Sequence, residues 1–290
     1  MLYRVSHETV YDYGESVSLC HNQAHLIPRT LDYQRCEACE LEISPSPPRI
    51  DPWQDYFGNE VRYFSISEEH RRLSVFVRSV VEVRERPSFQ AARVLGWEDV
   101  RYRLAHPVDD ECRLAVQFAL PSRLVRCSSD TAEFASVSFQ PGRPLVDAVI
   151  ELTSRIYHEF RYDPTATTVN TPPSEVLRKR RGVCQDFAHL EIACLRSMGL
   201  AARYVSGYLQ TEPPPGQQKL IGADASHAWL AVFCPGWGWL DVDPTNNQVP
   251  DTRHITLAWG RDYSDVCPIQ GVVIGGGQPA MRVAVDVSVC

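Results

Sequence analysis

The chain lacks any long apolar run, and no segment reaches the ~18 consecutive apolar residues of a membrane-spanning helix. It also lacks a basic excess: 29 Lys and Arg face 36 Asp and Glu, for a net charge of -7. Phosphate binding needs a basic face, so neither nucleic acid nor an anionic membrane is an expected partner. The dense basic run at 178–181 reads as a solvated helix end. The start, MLYRVSHETVYDYG, alternates like a strand and has no apolar signal region, which makes a cytoplasmic location the expectation. There is no internal repeat and no low-complexity tract. No D-x-[DN]-x-[DN]-G calcium loop occurs, so no metal or other cofactor is expected. Cys36-x-x-Cys39 has half the spacing of a zinc site, but no second such pair or His-x₃₋₅-His completes it, although Cys20, His21 and His25 are near in sequence.

What is present is an ordinary globular composition. The 290 residues are 44% hydrophobic and 22% charged, enough for a substantial core in one large domain or two smaller ones. Ten cysteines are scattered without a secretory context, and such thiols are expected to be reduced.

Residues 1–85 read as successive strands. LYRVSHETVYDYG is a run closed by Gly14, ACELEISPSPP a run closed by prolines, and DYFGNEVRYFSIS a hairpin turning at Gly58-Asn59. RLSVFVRSVVEVRER alternates at Leu73, Val75 and Val77. This pattern predicts a small antiparallel sandwich. Residues 86–140 carry weaker signals and read as a connecting region.

From 141 the period changes. Leu145, Ala148, Val149, Leu152, Ile156 and Phe160 recur at helical spacing, and SEVLRKRR forms a short helix after Pro172-Pro173. In RRGVCQDFAHLEIACLRSMGL the stripe of Phe187, Leu190, Cys194 and Met198 is widened by Ala188, Ile192 and Leu195, so this helix should be largely buried, with Gly199 ending it. ARYVSGYLQ, SHAWLAVFC and GWLDVDP read as strands, TEPPPGQQ as a turn, and QGVVIGG and MRVAVDVSV as a β tail.

Cys184 stands at the entrance of the buried helix. A helix N-terminus carries partial positive charge and free N–H groups, which favour thiolate over thiol if the side chain is in the first turn and partly exposed. Cys194, ten residues on, falls on the buried stripe and reads as a small core hydrophobe. A thiol nucleophile needs a base and a group that orients it. His227 opens one strand, and Asp243 ends the next, with Asp241 a competing carboxylate on the same face. Gln185 and Asp186 adjoin the thiol and should shape the site, or serve as helix-capping groups. His189, Trp229 and Trp239 read as structural. The Cys184 N–H is the expected first oxyanion donor; the second is not readable.

GVCQDFAHL, DASHAWLAVF and GWLDVDPTN together resemble the three catalytic boxes of the bacterial transglutaminase-like superfamily. YRVSHETVYDYGESVSLCHNQAHLIPR with DYFGNEV resembles the β-rich N-terminal region that accompanies this core, and WGRDYSDVCPIQGVVIGGG also fits, so the likeness extends over most of the chain. The resemblance implies an α+β fold, with a papain-like core of helix on antiparallel sheet behind a β-sandwich-like domain. The expected divisions are 1–85, 86–140, a core over 141–250, and a β segment over 251–290 packing on the core or the N-terminal domain. The resemblance further implies Cys184 as nucleophile, His227 as general base and acid, and Asp243, by its Asp-Pro-Thr-Asn context, as orienter. It implies a cysteine protease or amidohydrolase acting on a peptide or protein substrate. Transamidation is the nearest alternative, and a non-catalytic scaffold that keeps the fold is the other.

Overall fold

A computed structural model describes residues 1–211 and 226–290; the turn expected in TEPPPGQQ falls largely outside the described residues. Strands β1 (Leu2–Ala24), β2 (Gln34–Ser44), β3 (Ile50–Gln54), β4 (Glu60–Ile66) and β5 (His70–Val83) come first, with the expected hairpin between β3 and β4. Helices α1 (Trp97–Ala105), α2 (Asp110–Val116), α3 (Ser129–Ser136) and α4 (Leu145–Glu159) follow. Then come β6 (Arg161–Tyr162), α5 (Pro173–Lys179), β7 (Arg181–Gly182) and α6 (Cys184–Ser197). Strands β8 (Ala202–Leu209), β9 (Ser226–Cys234), β10 (Gly238–Val242), β11 (His254–Gly260), β12 (Ile269–Gly275) and β13 (Ala280–Val289) complete the chain.

Strand β1 does not close at Gly14, as its sequence suggested. It runs on to Ala24 and changes partners on the way. Tyr3–Asp12 pair with β5 on one side and β13 on the other, whereas the segment from Cys20 to Ala24 pairs with β4 and β12. The register shifts between Asp12 and Val17, so the irregularity around Gly14 is where one strand passes between two halves of a seven-stranded sheet. Val17, Cys20, Phe64, Ile66, Leu73 and Val75 fill the space between those halves. This is the expected sandwich-like body. The C-terminal strands β12 and β13 complete it, although they lie more than 240 residues away along the chain in register with β1.

The second body is a four-stranded antiparallel sheet, β10-β9-β8-β11, with α6 packed on β8 and β9 and with α3, α4 and α5 around α6. The core sheet runs past the expected limit at 250, because β11 pairs with β8 from His254↔Leu209 to Gly260↔Tyr204. The segment 86–140 is also more than a connection: Trp97, Val100, Leu104, Cys112 and Phe134 join the main core. Tyr3, Val5, Val285 and Val287 from the first body belong to that same cluster, so the apolar interior is continuous.

Helix α6 is buried at every position from Asp186 to Arg196. Its interior has no Gly or Pro, and Gly199 at φ +76° ends it, where Leu200 N–H returns to Leu195 C=O at 3.0 Å. At its start the Asp186 carboxylate accepts the Val183 N–H at 2.8 Å and the Thr167 hydroxyl at 2.6 Å. Gly182 is required there, since a Cβ would lie 2.7 Å from Asp186 Oδ2.

Candidate active site

Cys184 is the first residue of α6 and is half-buried, which meets both positional conditions set by its sequence context. Its backbone N–H, at the first helical position, has no carbonyl within the helix to bond. The start of α6 is fixed by its neighbours. Asp186 ties it to Thr167, and Gln185 Nε2 donates to Val169 C=O at 3.0 Å. Both side chains therefore hold the 163–172 loop beside the thiol.

Strand β9 brings His227 to this place, opposite Gly207 of β8. A Cβ at Gly207 would sit 2.1 Å from Ile255 C=O and 2.5 Å from the Trp229 ring, so only glycine lets β8, β11 and Trp229 pack this closely beneath the imidazole. The end of β10 carries Asp243, fully buried. His227 Nε2 lies 2.8 Å from Asp243 Oδ2. Burial alone would lower the His227 pKa, but its hydrogen bonds to Asp243 and to Cys184 outweigh it and push the value up to about 10. With Nε2 on Asp243, Nδ1 is the nitrogen left for the thiol.

Asp243 is held by more than His227. Its Oδ1 accepts the N–H groups of Thr245 at 2.9 Å and Asn246 at 3.3 Å. Its Oδ2 also accepts from His254 Nε2 at 3.2 Å and Asn246 Nδ2 at 2.7 Å. Burial opposes the charge, yet these donors together hold the carboxyl well below the ordinary range. Asn247, at φ +50°, turns the chain so that Gln248 pairs back on Asp243 and the two N–H groups converge on Oδ1. Asp241, the competing carboxylate, points elsewhere and is ion-paired with Arg86.

Sequence reasoning missed His254 and Asn246. Asn246 stands three residues past Asp243 in the same box, where its proximity was the available signal. His254 carried none, since only the β8–β11 register brings it in. His254 is fully buried, with Trp229 edge-on at 5.2 Å and its Nδ1 3.5 Å from Asp251 Oδ1. His227, Asp243 and His254 place three possible ligand atoms within 4.8 Å of one another. Each imidazole nitrogen concerned already faces Asp243 Oδ2, so a metal there would have to displace both hydrogen bonds.

His189 and Cys194 are enclosed in the core. His189 is buried, its Nε2 accepts the Tyr263 N–H at 3.1 Å, and burial pushes its pKa down to about 4. Cys194 is sealed in the core, and burial pushes its thiol pKa up. Tyr204 is buried beside Cys184, and burial followed by the nearby thiol raises its phenol well above the usual value. No helix among the described residues is long and apolar enough to cross a membrane.

Comparison with known proteins agrees with this architecture. Residues 3–82 match the model of the bacterial transglutaminase-like N-terminal region, and 134–244 match that of the transglutaminase-like superfamily. An uncharacterised protein of Mycobacterium tuberculosis is 42% identical over 294 residues, covering 99% of this chain and 91% of its own. A protein-glutamine gamma-glutamyltransferase of Pseudomonas aeruginosa is 32% identical over 108 residues, 34% of this chain and 16% of its own. The crystal structure of a "Putative Cysteine Protease" from Cytophaga hutchinsonii superposes with a TM-score of 0.78 at 20% identity, over 99% of this chain and 90% of that one, which shows the shared fold. The chain belongs to the transglutaminase-like superfamily, with the bacterial transglutaminase-like N-terminal region ahead of its core.

Proposed function

We propose that the protein is a thiol-dependent acyl-transfer enzyme that cleaves amide or peptide bonds in a peptide or protein substrate. The observation that carries this reading is His227 held between Cys184 and a buried, five-donor Asp243. His227 takes the Cys184 thiol proton, the sulfur attacks the carbonyl carbon, and the carbonyl electrons move to oxygen, facing the helix N-terminus and the Cys184 N–H. The tetrahedral adduct collapses as His227 gives its proton to the leaving nitrogen. The C–N bond breaks and an acyl-thioester remains. Water, losing a proton to His227, then attacks the thioester and frees the acid and the thiol. Asp243 keeps the imidazole oriented and favours its protonated form.

A second reading is transamidation, in which an amine replaces water. The matched segment of the Pseudomonas aeruginosa protein-glutamine gamma-glutamyltransferase favours it. The two readings differ only in the nucleophile that reaches the thioester.

The test is mass spectrometry of a glutamine-containing peptide with the protein, with and without an added primary amine. Hydrolysis products as the main species support the first reading, and an amine adduct as the main species supports the second. Cys184→Ala should lose turnover by at least ~10³-fold while its circular dichroism stays unchanged. Undiminished turnover would move the nucleophile elsewhere, and no turnover in either protein would favour a scaffold that keeps the fold.

A further inference from the structure

On the core sheet, toward the β9–β10 hairpin, a surface cavity of about 350 Å³ is walled by aromatic rings and contains Arg203. That size falls at the lower end of small-molecule sites. The Trp259 ring lies 3.5 Å from the Arg29 guanidinium carbon and 3.7 Å from that of Arg203. Two guanidinium groups cannot share one ring face at those distances, so Trp259 is sandwiched between them. Arg203 is in turn 4.3 Å from the Trp239 ring. Phe118 is edge-on to Trp239 at 5.2 Å, and Phe57 packs against Phe118 at 5.8 Å.

Stacking satisfies the faces of the Arg203 guanidinium and leaves its in-plane N–H groups. Among the described residues none of them has a hydrogen-bond or ion-pair partner, and Nε is enclosed. The nearby carboxylates are engaged elsewhere. Asp241 pairs with Arg86, and Glu111, on the cavity wall, accepts the Gly236 N–H at 3.1 Å. A guanidinium whose faces are covered and whose edge is free matches a carboxylate approaching in its plane. The rings beside it match a flat apolar body.

We propose that this cavity is a second binding site, for an aromatic carboxylate, with Arg203 taking the carboxylate and Phe57, Phe118 and Trp239 taking the ring. It is distinct from the site at Cys184. Phe233, which lines the cavity, is six residues along β9 from His227, ~20 Å at the rise of an extended strand. The proposal does not rest on the function proposed above.

Calorimetric titration of the full chain, with Cys184 blocked by iodoacetamide, tests it. The probes are N-acetylphenylalanine, its amide, and acetate. The acid should bind at least tenfold more tightly than the amide, and acetate should give no measurable heat. Arg203→Lys, which keeps a cation but loses the planar fork, should weaken the acid at least tenfold and leave the amide unchanged. If that variant fails to fold, the comparison of acid with amide on the unaltered chain still decides. Equal binding of acid and amide, or no heat from the acid up to ~10 mM, overturns the proposal. Gly-Gly-Phe and 3-phenylpropionate separate the sources: binding of both marks the end of a peptide chain as a ligand, and binding of the free acid alone marks a small molecule.

Discussion

At Asp243 two histidines share one buried oxygen. His227 opens toward the thiol, and His254 supports the carboxylate from behind without reaching the thiol. In the proposed mechanism His254 acts as a positioning residue. A hydrogen bond to a charged group contributes about 1.5–3 kcal/mol, so His254→Phe should lower kcat by roughly 10- to 100-fold with KM little changed. A steady-state comparison on one peptide substrate checks this, and an unaltered kcat would remove His254 from the site. The pH profile tests His227 itself. In the proposed mechanism its raised pKa means that the proton for the leaving nitrogen is present at neutral pH and is lost as pH climbs through about 10. The alkaline limb of kcat/KM should fall there, and a limb near 6.5, the ordinary imidazole value, would contradict the ion-paired arrangement. Cys184, His227 and Asp243 were legible because each sits in a short box with its own local pattern. His254 was not, because nothing within ten residues of it distinguishes it from any strand histidine.

Helix α6 illustrates what periodicity reveals at the scale of an element. The apolar stripe announced a buried helix, and the terminal Gly199 announced its end. The stripe said nothing of Glu191, which is also fully buried and faces one hydroxyl. Thr153 Oγ1 lies 2.9 Å from Val149 C=O and 2.7 Å from Glu191 Oε1. One hydroxyl proton cannot serve both acceptors. The network closes if Glu191 is protonated and donates to Thr153, while Thr153 donates to Val149. Burial, followed by the charge on Asp243, pushes the Glu191 pKa up to about 8 despite the Thr153 hydrogen bond. The folded state thus keeps a proton that the unfolded chain releases near 4.5, and raising the pH favours unfolding across that window. Stability should decline between about pH 4.5 and 8, and Glu191→Gln should flatten this part of the profile. Urea unfolding of both proteins at several pH values measures it. Parallel profiles would show that Glu191 titrates alike in both states.

At the scale of the whole molecule, the two bodies meet along β11, the edge strand of the core sheet. An open strand edge exposes unpaired N–H and C=O groups, and this one is covered by side-chain amides from the first body. Gln34 Oε1 accepts the Thr256 N–H at 2.7 Å, and its Nε2 donates to Thr256 C=O at 2.8 Å. Asn59 does the same for Trp259, at 2.9 Å from its N–H and 2.8 Å from its C=O. Each amide stands in for one residue of a neighbouring strand. The local patterns showed the strands of both bodies but not this junction, nor the return of β12 and β13 to β1, because such pairings join residues some 200 or more positions apart. Gln34, Asn59 and Thr256 are all buried, so Gln34→Leu would strand the Thr256 N–H away from water, while the Thr256 C=O keeps the Arg29 N–H at 3.2 Å. At about 1–3 kcal/mol for an unsatisfied buried group, the variant should lose roughly that much stability. Because β11 also carries His254, the same loosening should slow turnover before global unfolding is reached. Chemical denaturation and activity measured along one urea series would separate the two. Loss of activity that coincides with global unfolding in Gln34→Leu would show that the junction supports stability alone and does not hold His254 in place.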